Sequence, residues 1–176
     1  MIGLLIVACE IGFWLLVLAG LACRYLLRRR RLGAVLLAST ILVDLTLLVL
    51  TAMDLKRGAT ATFMHGLAAV YIGVSLVFGK DMIRWADQRF AYRFAGGPKP
   101  VSKPRYGLER ARYERRMWAK HALAWLIGSS LLGAMTLWVG DLAQSQQLIL
   151  TIARWGMVLI IDFLISFSYT LWPREA

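Results

Sequence analysis

The sequence predicts an all-α, polytopic membrane helix bundle of about five transmembrane helices, with an amphipathic helical extension on the cytoplasmic side. Three observations carry that prediction. Apolar residues make up 59% of the 176-residue chain and charged residues only 18%. The charges avoid long apolar runs: residues 1–25 carry only Glu10 and Arg24, and residues 32–53 only Asp44. Lysine and arginine also collect on alternate connections between these runs. A run of about 20 apolar residues matches a hydrocarbon core of roughly 30 Å at 1.5 Å rise per residue. None of the runs has the polar face that a soluble amphipathic helix would need.

The spans fall at about 2–27, 33–53, 62–79, 122–139 and 148–171, in a single domain covering residues 1–176. The first begins without the basic segment of a secretory signal, so the lipobox-like Ile6-Val7-Ala8-Cys9 is read as part of an uncleaved span. Cys9 and Cys23 lie on this one helix, about 21 Å apart along its axis, too far for a disulfide. Arg28, Arg29, Arg30 and Arg31 form a tight basic turn before the second span. The second and third spans are joined by a short mixed loop at 54–61, and the fourth and fifth by a short acidic or neutral one at 140–147.

Between the third and fourth spans lies a basic loop, 80–121, with two helical segments of its own. Ile83, Ala86, Phe90 and Phe94 share one helical face between Arg84, Asp87, Arg89 and Arg93. The third span is therefore expected to continue as an amphipathic helix that leaves the core or lies along the inner interface. Gly96-Gly97-Pro98-Lys99-Pro100 ends it, and a second charged helix, 108–120, leads into the fourth span. Of the 21 lysines and arginines, 18 lie on the side of the first turn, the long loop and the tail, against Lys56 and Arg57 opposite. The positive-inside rule places that side in the cytoplasm, with the N-terminus outside. The net charge of +11 then reflects attraction to anionic headgroups, worth about 1 kcal/mol per juxtamembrane Lys or Arg. No nucleic-acid-binding motif accompanies it. The lipid-headgroup or partner candidates are Arg28, Arg29, Arg30, Arg31, Arg84, Arg89, Phe90, Arg93 and Phe94.

Ionisable groups within hydrocarbon are costly and turn toward the protein interior. Here they are Glu10, Asp44, His65, Arg154 and Asp162, with Asp54 at a span end. These six are the ligand- or proton-binding candidates. Counting along the spans places Glu10, Asp54, His65 and Arg154 in the outer third, and Asp44 and Asp162 near the midplane. At 100° per residue, Thr40, Asp44, Thr51 and Asp54 share one arc of the second span, and Gln147, Thr151, Arg154, Asp162 and Tyr169 one arc of the fifth. Small residues on the third and fourth spans allow close helix approach. The expected site has Arg154 paired with Glu10 or Asp54 near His65, and a deeper pair of Asp44 with Asp162. Each group also has a structural reading: a register-fixing ion pair, a backbone hydrogen bond, or a neutral histidine.

Several chemistries lack support. His65 and His121 sit near opposite faces and cannot jointly hold a haem. HExxH, CxxC, GxSxG and GxxxxGK[ST] are all absent, so no metal, catalytic residue or cofactor is expected. Three functions remain. The leading one is a non-catalytic protein whose polar cluster binds or passes a small solute or proton. The second is an accessory or scaffold subunit holding another membrane protein or anionic lipid. The third is a lipid-modifying enzyme with His65 as base beside Glu10 or Asp54.

Arg57-Gly58-Ala59-Thr60-Ala61-Thr62, His65-Gly66, Tyr71-Ile72-Gly73-Val74-Ser75, the stretch 79–93 and Ser168-Tyr169-Thr170-Leu171-Trp172-Pro173 resemble the YmcC-like family of small bacterial membrane proteins. The resemblance runs the length of the chain. It implies a bacterial cytoplasmic membrane and five spans, and carries no catalytic or ligand role to any residue.

Overall fold

Apolar surroundings cannot hydrogen-bond a backbone, so a chain spanning lipid must satisfy its peptide groups within helices or closed barrels. This chain takes the first course. The computed structural model describes residues 2–94, 96–100, 104 and 106–172, without the side chains of residues 2–4, 6, 10, 64 and 94. It contains α1 (Ile2–Leu21), α2 (Arg30–Lys56), α3 (Phe63–Phe94), α4 (Gly107–Val139) and α5 (Gln146–Leu171). The described residues hold no strand, and all five helices are long and apolar enough to cross a membrane.

Two helices exceed any span. α3 has 32 residues and α4 has 33, or about 48–50 Å each, against a core of roughly 30 Å. The charged segments at 80–94 and 107–120 are thus unbroken continuations of the third and fourth spans. α3 therefore continues past its span without a break in the helix, as the periodicity of its charged segment predicts. Gly96, at φ 63°, reverses the chain after it, and the Gly97 N–H donates to the Ala91 carbonyl at 3.0 Å. α1 ends differently, in a π-helical turn over Ala22–Leu26. The Arg29 N–H then reaches the Cys23 carbonyl at 2.9 Å across Arg28, which adopts φ 56°.

The chain groups into two compact units, one of Met1–Ile72 with Gly128–Ile152, the other of Gly73–Ile127 with Ala153–Ala176. In the first, α1 and α2 pack backbone to backbone. A Cβ on Gly33 would lie 2.6 Å from the Gly20 carbonyl oxygen and 2.7 Å from the Arg24 Cβ. α3 meets α5 through a side chain, since a Cβ on Gly66 would lie 2.6 Å from the Thr151 hydroxyl. Leu47, Leu48, Ala52 and Leu55 of α2 join Ala68, Ala69 and Ile72 of α3, Leu132 and Met135 of α4 and Leu148 of α5 in one apolar core. At one end the Ala61 N–H donates to the Gln144 carbonyl at 2.9 Å, which ties the α2–α3 connection to the α4–α5 connection. Lys56 lies over the Trp138 ring beside them, 5.1 Å from its centroid.

In the second unit α4 packs on α5 through aromatic rings. Trp118 meets Phe163 and Phe167 edge-on, with centroids 5.2 and 5.6 Å away, and donates its indole N–H to the Leu159 carbonyl at 3.3 Å. Trp125 rests against the bare backbone of Gly156. α3 joins α4 through an ion pair of Asp81 with Lys120 at 2.5 Å.

Candidate functional site

In the first unit the polar stripe of α2 does face inward. Thr40, Asp44 and Thr51 are buried along with Gly33, Leu47, Leu48, Ala52 and Leu55, at the spacing of one helical face. Several hydroxyls on the stripes are satisfied by their own helices. Thr40 donates to the Leu37 carbonyl, Thr136 to Leu132 and Thr151 to Gln147, all within 2.9 Å. Such back-bonding lets a hydroxyl sit in lipid without a partner helix. Asp44 has no such outlet. Its side chain is 3% exposed, and its Oδ2 makes no hydrogen bond, as also holds for the buried Thr51 hydroxyl.

The outer candidates are placed separately. The His65 Nδ1 accepts the Thr62 N–H at 3.1 Å, so this imidazole takes up one of the amides left over at the start of α3. Asp54 is half-buried, and its backbone carbonyl accepts the amides of Arg57 and Ala59 in the turn after α2. Arg154, in the second unit, is exposed and makes no ion pair among the described residues. The Glu10 side chain lies outside the described part. The ion pair expected of Arg154 is therefore not found with any described carboxylate.

Asp162 has the partner that Asp44 lacks, and it is not a second carboxylate. Its Oδ2 lies 2.7 Å from the His121 Nδ1. The Phe78 ring is tilted over the imidazole at 5.1 Å between centroids. Both members of the pair line a cavity of about 210 Å³ with Val74, Phe78, Ala124, Trp155, Val158 and Leu159. With Nδ1 engaged by the carboxylate, Nε2 is the nitrogen left for a ligand or a proton. A carboxylate beside an imidazole is a pair suited to taking up and releasing protons.

Span counting missed His121, because it puts this residue at the inner end of the fourth span and Asp162 near mid-membrane. A better ruler was present. His121 stands 18 residues before the end of α4 and Asp162 16 residues after the start of α5. In an antiparallel hairpin with a short connection, those offsets bring the two level.

No family model and no solved structure matches the chain. The uncharacterized membrane protein YmcC of Bacillus subtilis strain 168 is 44% identical over 175 residues, covering 99% of this chain and 94% of that protein. The chain belongs to the YmcC-like family. It is a multi-pass integral membrane protein. In this YmcC-like chain Arg28, Arg29, Arg30 and Arg31 are all exposed, as are Arg84, Arg89 and Arg93. Phe90 is half-buried, and the Phe94 side chain lies outside the described part. The face that α3 exposes beyond its span is instead Met82, Trp85, Arg89 and Tyr92, with the Arg89 guanidinium 4.6 Å from the Trp85 ring centroid. Basic and aromatic groups in this combination suit the headgroup region.

Proposed function

We propose that this YmcC-like protein sits in the bacterial cytoplasmic membrane, N-terminus outside and C-terminus inside, and binds a small solute or passes a proton at the Asp162–His121 cavity. The observation that carries the reading is the 2.7 Å contact between these side chains at the wall of that cavity. Asp44 is the second group of interest, as a buried carboxyl with an unpartnered oxygen. An ionisable residue kept within a span despite its insertion cost points to function.

Proton movement into vesicles is the direct test. Purified protein reconstituted with an internal pH dye and a potassium diffusion potential is expected to acidify the lumen. Asp162→Asn and Asp44→Asn are each expected to slow that flux at least tenfold while helicity and elution volume stay unchanged. Flux at the wild-type rate in both folded variants sinks the reading. Orientation is checked with fusions: alkaline phosphatase joined after Arg57 is expected to be active, and a fluorescent protein at the C-terminus to glow from the cytoplasm. The opposite pattern reverses the topology.

A further inference from the structure

We propose that the Asp162–His121 cavity holds a small organic cation, an ammonium group carrying apolar substituents. This rests on the functional reading above and names the ligand class of the same cavity. Among the described side chains that line it, Asp162 is the sole carboxylate and none is a lysine or arginine. Lys120, next in sequence to His121, is held by Asp81 at 2.5 Å. An anion would therefore meet Asp162 with no fixed positive charge among the lining side chains to offset it. A metal ion would find only two ligating side chains, and among the described residues no group of three such residues forms. Calcium and magnesium sites use six or more oxygen ligands, and zinc usually four.

The remaining wall fits a cation with a greasy shell. Phe78 and Trp155 present aromatic surface, which attracts ammonium groups, and ammonium ions carrying methyl groups are commonly recognised in this way. Val74, Ala124, Val158 and Leu159 supply aliphatic surface for the substituents. At about 210 Å³ the cavity is below the roughly 300 Å³ at which drug-sized ligands begin, so it suits a small ion. The ammonium group could be that of a free metabolite or of a lipid headgroup, and the chemistry of recognition is shared.

The test titrates three molecules of one shape into the full-length protein in maltoside micelles, followed by calorimetry. Choline is the cation, 3,3-dimethylbutan-1-ol its neutral counterpart and 3,3-dimethylbutanoate the anion. A short-chain phosphatidylcholine forms a fourth arm. Choline or the phosphatidylcholine is expected to bind at least tenfold more tightly than the neutral and anionic probes, and whichever is tighter assigns the source. Asp162→Asn is expected to erase that preference. Trp155→Leu, which leaves the carboxylate in place, is expected to weaken the cation several-fold. Equal affinity for the neutral alcohol, or a tenfold preference surviving in a folded Asp162→Asn variant, overturns the proposal. If the wild type binds neither cation yet proton flux still depends on Asp162, the ligand class alone falls. If that flux dependence is missing too, both readings fall.

Discussion

Replacing Asp44 by leucine is expected to make the protein more stable, by about 1–3 kcal/mol, while abolishing proton flux. Most substitutions at a buried position destabilise, so the sign is diagnostic. Asp44 is 3% exposed, and its Oδ2 has lost water without gaining a donor. Leucine branches at the same carbon and places two methyl groups where the two oxygens stand, so the replacement changes shape little. It removes a desolvated oxygen and adds apolar contact on the face of α2 that carries Leu47 and Leu48. Unfolding in increasing SDS, followed by circular dichroism, measures the change. A variant that loses stability and flux together would show Asp44 to be a structural residue. A variant that keeps full flux would remove Asp44 from the functional site. A gain in stability with a loss of flux is the pattern of a residue retained for what it does.

Gly33→Ala is expected to cost about 1–3 kcal/mol, a large change for the addition of one methyl group. The new Cβ would lie 2.6 Å from the Gly20 oxygen, 2.7 Å from the Arg24 Cβ and 3.0 Å from the Arg24 nitrogen. These atoms belong to the backbone of α1 and its continuation, or sit directly on it. No side-chain rotation relieves the clash, so α1 and α2 must move apart. Their contact holds by van der Waals packing, which falls away quickly with separation. Gly133→Ala supplies the control, because nothing lies within 4 Å of its Cβ position in α4. There the better helix propensity of alanine is expected to raise stability by up to about 1 kcal/mol. The same SDS titration reads both variants. Equal effects at Gly33 and Gly133 would mean that α1 and α2 do not touch at this point.

Much of the architecture could be read along the chain because lipid imposes simple rules. The absence of charge from 32–53, the four arginines at 28–31 and the Gly-Gly-Pro at 96–98 each act within one helix or one turn. The periodicity of Ile83, Ala86 and Phe90 likewise anticipated that α3 would run on past its span. The site was harder to read. His65 carried two readings, a base beside Glu10 or Asp54 and a hydrogen-bonded neutral histidine. Its Nδ1 accepts the Thr62 amide because a helix terminus offers amides within reach of a side chain three residues on. Thr40 and Thr151, on the polar arcs of the second and fifth spans, donate to carbonyls of their own helices.

Sequence alone determined the membrane class, the five helices, their connections and the inward face of α2, since each follows from hydropathy and the 3.6-residue period within a continuous segment. Tertiary structure decided which side chains meet. The pairing of Asp162 with His121, and the wall that Phe78 and Trp155 build beside them, depend on how α3, α4 and α5 are rotated and level within their own unit. That rotation is set by contacts such as Trp118 on Phe163 and Trp125 on Gly156, which join residues about thirty to fifty positions apart. Span counting puts a charge at a depth, and a neighbouring helix is needed to put it beside a partner.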